Sequence, residues 1–133
     1  MMQILQPPGW AKPKGYSNGI AVKGGTAVFI AGQVAFNAEN VLEEKTFGGQ
    51  FRQTLKNTLA VLAEAGGRPE HIVRMTWYVR DMDEYLKARS ALGEVYREVM
   101  GDHYPAMALV AVARLVEPQA RLEIETTAVV PER

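Results

Sequence analysis

The stretch from His103 to Val116, HYPAMALVAVARLV, constrains this chain more than any other. A histidine, a tyrosine and a proline lead into a run of small apolar residues. Met107, Leu109, Ala111 and Ala113 share one parity, and Ala106, Ala108, Val110 and Val112 share the other. Successive side chains of a strand point to opposite faces, so a strand that is apolar on both parities must be covered on both faces.

The flanking segments supply part of that cover. Residues 1–15 carry Pro7, Pro8 and Pro13 and predict an extended lead-in rather than a helix. Ile20–Val22 and Thr26–Ala31 are short β-type runs with Gly24-Gly25 between them, a hairpin signal, and Gly32 and Gln33 are expected to end the second run. Asn37–Lys45 is polar and loop-like. Phe47, Phe51, Leu55, Leu59 and Leu62 step by three or four, which predicts a helix with Thr46 as N-cap and Gly66-Gly67 as its stop. Gly48-Gly49 is expected to delay its true start.

Ile72–Arg80 alternates, with Val73, Met75, Trp77 and Val79 on one side. Asp81–Asp83 then caps a second helix whose stripe is Tyr85, Ala88, Leu92, Val95, Tyr96 and Val99, stopped by Gly101. The doubly apolar strand follows, Glu117-Pro118-Gln119 turns the chain, and Arg121–Val130 forms the last strand. The order is β-β-α-β-α-β-β in one domain spanning 1–133, an α+β chain without repeats. Two helices cover one face of such a sheet, so the other face is expected to be buried by another subunit in a closed homo-oligomer.

Composition narrows the function classes. The chain has 133 residues, enough for one sizeable core. Fifteen basic side chains balance fifteen acidic ones, which leaves no electrostatic footprint for nucleic acid or an anionic membrane. There are no cysteines, which excludes disulfides, thiolate metal sites and a cysteine nucleophile and fits the cytoplasm. No apolar run approaches the roughly 20 residues that span a bilayer, and no signal-peptide core is present. A soluble, cytoplasmic protein is expected.

Motifs for metal or nucleophilic chemistry are missing. His71 and His103 belong to no ligand-spaced cluster, and both read as structural residues, although His103 lies where a site could form. No serine-elbow, P-loop or dinucleotide fingerprint occurs, so neither metal nor cofactor is expected. Glu123 and Glu125 share a parity on the last strand. In a partly desolvated intersubunit cleft, such a carboxylate would have a raised pKa and could serve as general base or hold a water. On a bare edge strand the same pair would be two solvated glutamates.

Several stretches together resemble the Rid family (reactive intermediate deaminases, also called the YjgF, YER057c and UK114 family). They are GYSNGI at 15–20, VFIAGQV at 28–34, FRQTLKNTLAVLAEAGG at 51–67, HIVRMTWYVRDMDEY at 71–85, YPAMALVAVARL at 104–115 and LEIETTAVV at 122–130. The resemblance implies a chorismate-mutase-like fold and a homotrimer whose sheets form a central barrel, with small-metabolite clefts between subunits. It implies cofactor-free hydrolysis of enamines and imines such as 2-aminoacrylate.

By the same resemblance, Tyr16 matches the family's site tyrosine and Glu123 the glutamate credited with positioning water. Gly32 and Leu109 match residues whose backbone groups line the cleft. The position that carries a substrate-clamping arginine is Met107 here. A thioether cannot pair with a carboxylate, and losing such a buried pair costs about 2–5 kcal/mol of binding.

Two repairs are open. Arg89 on the second helix could supply charge from another direction, or Met107 could select a larger or less anionic ligand, such as a ring-cleavage enamine of the 2-aminomuconate kind. Arg89 also reads as a surface helix residue. The leading expectation is an enamine or imine hydrolase with a non-standard substrate. The alternative is a non-catalytic metabolite-binding protein. RNA cleavage, attributed to some relatives, is disfavoured by the zero net charge.

Overall fold

The computed structural model describes residues 2–132. Strands β1 (Met2–Leu5) and β2 (Gly19–Val22) pair antiparallel as a small ribbon. Strands β3 (Thr26–Gln33), β4 (Ile72–Val79), β5 (Ala106–Ala111) and β6 (Leu122–Val130) form a mixed sheet in the order β3-β6-β4-β5. Helices α1 (Phe47–Ala63) and α2 (Met82–Met100) pack together on one face of that sheet. The α+β architecture expected from the pattern is present, with two helices and a mixed sheet.

Both helices begin where their caps dictate. The Thr46 hydroxyl accepts from Gly49 N–H at 3.0 Å, so α1 starts at once and Gly48-Gly49 lie inside its first turn, not ahead of it. The Asp81 carboxylate accepts from Glu84 N–H at 3.2 Å, with Asp83 and Glu84 adding negative charge to the first turn of α2. Arg52 of α1 and Glu98 of α2 pair at 2.9 Å and tie the helices on their solvent side.

The core lies between helices and sheet. Phe51, Leu55 and Leu62 of α1 are fully buried against Met75, Leu122 and Ile124 of the sheet. Polar bonding closes its edge. Gln50 is 1% exposed, donates to the Glu44 and Gln119 carbonyls and accepts from Arg121 N–H at 2.8 Å. One side chain thereby joins α1, the loop before it and the turn before β6.

Three local expectations are corrected. The lead-in is extended but not unpaired, because the apolar Met2–Leu5 precedes the prolines and finds β2 as partner. Gly24 and Gly25 adopt φ of 75° and 85° and do turn the chain, yet β2 and β3 are not partners. Gly25 lies against the Val130 backbone, and β3 pairs with β6 instead of doubling back on β2. The doubly apolar strand, expected over Ala106–Ala113, ends at Ala111.

Two bulges interrupt the alternation. One falls between Ile72 and Arg74, so Ile72 takes the buried position that parity assigned to Val73. The other falls within β3. From Ile30 opposite Thr126 to Gln33 opposite Ile124, β3 advances three residues while β6 advances two. Gly32 therefore lies inside the bulged end of the strand rather than beyond it.

On the face away from the helices, Phe29 is 79% exposed and Val110 43% exposed. One chain covers only one face of β5, with Met107 and Leu109 packed on the core side and Ala108 and Val110 bare on the other.

Replacing Gln50 with Ala leaves two carbonyls and an amide near the core without partners. This should cost about 2–3 kcal/mol in urea unfolding. Lys56→Ala on the solvent face of α1 should stay within about 0.5 kcal/mol. Equal effects of the two changes would contradict the role given to Gln50.

Candidate functional site

The residues that lead into β5 build one side of the site. His103 Nε2 lies 2.6 Å from the Ile72 carbonyl, and the Tyr96 hydroxyl donates to the His103 carbonyl at 2.5 Å. Tyr104 stacks on Tyr96 with ring centroids 5.1 Å apart and planes 12° from parallel. His103 is thus a structural residue. Burial pushes the Tyr96 phenol well above its ordinary value, with Tyr104 adding to the shift, which keeps the hydroxyl a donor.

The same lead-in captures a distant segment. Buried Ser17 donates its hydroxyl to the Tyr104 carbonyl and its N–H to the Pro105 carbonyl, the latter at 3.0 Å. Gly15, at φ 78°, turns the chain just before. Pinning Ser17 delivers the adjacent Tyr16 and Lys14 to the start of β5.

A cavity of about 460 Å³ opens between this segment, α2 and β5. Its floor is buried and largely apolar, formed by Trp77, Leu92 and Tyr96. Half-buried Tyr104, Met107 and Leu109 make one wall, and Tyr85 stands on the α2 side. At the mouth are the exposed Lys14, Tyr16, Arg89 and Arg97. Burial raises the Tyr85 phenol, and the Arg89 cation opposes that rise. The Trp77 indole N–H is buried and donates to nothing among the described residues.

Of the expected site residues, Tyr16, Arg89, Met107 and Leu109 all line this cavity. Arg89 is exposed, as a surface helix residue would be, and it also stands at the cavity mouth. Glu123 and Gly32 lie elsewhere. On β6, Glu123 pairs with Tyr78, while its neighbour Ile124 points into the core. Glu123 therefore stands on the open face, opposite to the side of the sheet that Met107 and Leu109 occupy.

Gly32 faces Glu123. A Cβ added there would collide with the Glu123 carboxylate, so the glycine at the bulge leaves that group its room. Next to it, Tyr78 donates its hydroxyl to Glu125 at 2.7 Å, a bond that raises the Tyr78 phenol's pKa. Glu125 is thereby engaged, whereas Glu123 has no hydrogen-bond partner among the described residues. Within a single chain the two halves of the expected site are on opposite faces of the sheet.

Arg97, Lys14 and Trp77 were not among the residues singled out in the sequence. Tyr85, Arg89, Gly93 and Arg97 recur every fourth residue on α2 and so share a face, a signal that a search for apolar stripes passes over. Lys14 had no local signal, because its place depends on the anchoring of Ser17. Among the described residues, no group of three His, Cys, Asp or Glu side chains could hold a metal ion, and no helix is long and apolar enough to cross a membrane.

This fold, with a cavity between α2 and the start of β5, defines an α+β protein of the YjgF/UK114 type. The family model described as Endoribonuclease L-PSP matches residues 10–130, and the chain belongs to that family, the Rid family. A RutC family protein of Pyrococcus horikoshii is 33% identical over 96% of this chain and 98% of its own. YyfB of Yersinia pestis, a solved structure of the Rid family, superposes with a TM-score of 0.85 at 28% identity, covering 97% of this chain and 98% of that one. RidA of an Antarctic Psychrobacter gives a TM-score of 0.69 at 30% identity, with 96% and 99% covered.

Gly32→Ala should leave the unfolding free energy within about 1 kcal/mol, since the clash is with the movable end of a side chain. The Glu123 carboxylate should be displaced, read as a changed carboxyl carbon shift in NMR. An unchanged Glu123 signal would show that Gly32 does not shape its surroundings.

Proposed function

We propose that this protein hydrolyses the C=N bond of a small imine, or of the imine tautomer of an enamine, in a cleft that two chains complete together. Membership of the Rid family supports imine deamination or small-molecule binding in general. The observation that carries the finer reading is Glu123. Its carboxylate stands on an uncovered face that exposes Phe29 and Val110, with Gly32 opposite and with no hydrogen-bond partner among the described residues. Such a face is normally covered, and a closed homotrimer covers it while carrying one chain's Glu123 to the cavity of the next.

In that cleft the Glu123 carboxylate holds a water against the C=N carbon. The water oxygen bonds to that carbon, the π pair moves to nitrogen, and Glu123 relays the proton. Collapse of the carbinolamine breaks the C–N bond, releasing ammonia and leaving a carbonyl compound. Hydrolysis of an activated imine needs only modest positioning, so neither metal nor cofactor is required. Met107, Leu109 and Tyr16 form the wall against which the substrate lies.

The second reading, a non-catalytic metabolite-binding protein, is favoured by Met107 alone, since a thioether on β5 cannot clamp a carboxylate as an arginine would. Ribonuclease action would need a phosphate-tracking basic surface, and the chain's net charge is zero.

Two measurements separate these readings. Ammonia release from 2-aminoacrylate should be slow and should rise with Met107→Arg; fast release by the unmodified protein would overturn the role given to Met107. Glu123→Gln should abolish turnover in an imine panel while sparing ligand binding. If the unmodified protein consumes no imine yet still binds a metabolite, the binding-protein reading stands instead.

A further inference from the structure

The cavity carries a charge pattern that the hydrolytic step does not use. The chain's net charge is zero, yet the cavity lining includes Lys14, Arg89 and Arg97 and no Asp or Glu among the described residues. Ion pairs elsewhere engage Arg52, Arg68 and Arg121 with carboxylates. Among the described residues, no such partner stands beside the three cations at the mouth. Arg89 and Arg97 are two turns apart on the same face of α2, with Gly93 midway between them and no side chain there to separate them. Arg97 also sits in the last turn of α2, where a cation complements the helix dipole, but that leaves its guanidinium free to bind.

Below the cations the cavity is aromatic. Trp77 and Tyr96 form the floor, and Tyr104 and Tyr85 the sides. Trp77 is 7% exposed, and its N–H is a buried donor with no acceptor among the described residues, which costs stability unless a ligand or water supplies one. A space of about 460 Å³ suits a ligand much larger than a three-carbon acid.

We infer that Arg89 and Arg97, with Lys14, form an anion subsite on α2 that takes the carboxylate of an aromatic or conjugated ligand whose flat body lies on the Trp77 and Tyr104 rings. This rests on, and deepens, the hydrolase reading. The substrate is the imine or enamine of a bulky π-containing 2-keto acid, and the carboxylate is held from the helix rather than from position 107. Guanidinium groups suit a planar carboxylate, and aromatic walls favour a flat ligand. Met107 adds polarizable packing where a charge would reject the ring. The Trp77 N–H gives the ligand's keto oxygen or imine nitrogen a donor.

Fluorescence makes the site readable. Of the two tryptophans, Trp10 is 64% exposed outside the cavity, so a Trp10→Phe background isolates Trp77. In that background, phenylpyruvate should quench Trp77 and bind at least about tenfold more tightly than pyruvate. Phenylacetate should bind at least about tenfold more tightly than the neutral phenylacetamide. Arg89→Gln with Arg97→Gln should weaken phenylpyruvate at least about tenfold while lowering the thermal midpoint by no more than about 5 °C, the share of Arg97 at the helix end.

Pyruvate binding as tightly as phenylpyruvate would overturn the inference. So would an unchanged affinity in the double variant, or tighter binding of adenosine or uridine 5′-monophosphate. The hydrolase reading fails separately. If phenylpyruvate binds as described but no imine releases ammonia, the subsite stands and the hydrolase reading falls. If small imines are hydrolysed but phenylpyruvate does not bind, the reverse holds.

Discussion

The contact between Tyr96 and the His103-Tyr104 segment is what the rest of this structure depends on. Tyr96 is buried on α2, stacks on Tyr104 and holds the His103 carbonyl. That contact fixes where β5 begins and at what height it meets β4, its parallel neighbour. It also leaves the Tyr104 and Pro105 carbonyls facing outward, where Ser17 binds them. A parallel pair linked through a helix needs such a joint, because no tight turn sets its register. Cavity, mouth and wall all follow from it.

The sheet then separates two kinds of chemistry. Toward the helices, β5 presents Met107 and Leu109 to an aromatic cavity with cations at its mouth. Away from them, β6 presents Glu123, beside a glycine bulge, to a face with exposed Phe29 and Val110 that the chain itself does not cover. Cations and the unpartnered carboxylate are thereby kept apart, so neither neutralises the other. In the proposed assembly they meet only across two chains, and a substrate would lie between the anion-binding side of one subunit and the water-holding side of the next. Assembly would then be a condition of function rather than an addition to it.

Much of this was legible in the sequence, for local reasons. Apolar spacing and caps located both helices, since Thr46 and Asp81 act on residues three positions away. Alternation found β4 and β6, and the parity of Glu123 against Ile124 holds in the structure. Pairings set by distant partners were not legible. Met2–Leu5 needed β2, and the hairpin expected at Gly24-Gly25 gave way to the pairing of β3 with β6. The site divided in the same way. Tyr16, Arg89, Met107 and Leu109 converge on one cavity, but nothing local in the sequence shows that Glu123 faces the other side of the sheet. That relation depends on the registers of β6 and β5 against β4.

The most direct test is whether the two sides of the sheet meet between subunits. The chain has no cysteine, so Met107→Cys and Glu123→Cys can be combined in one chain and treated with a short bis-maleimide. The account predicts covalent dimers and trimers on a denaturing gel at micromolar protein, absent in either single variant mixed with unmodified chain. A product that stays monomeric under those conditions, with both thiols consumed, would contradict it.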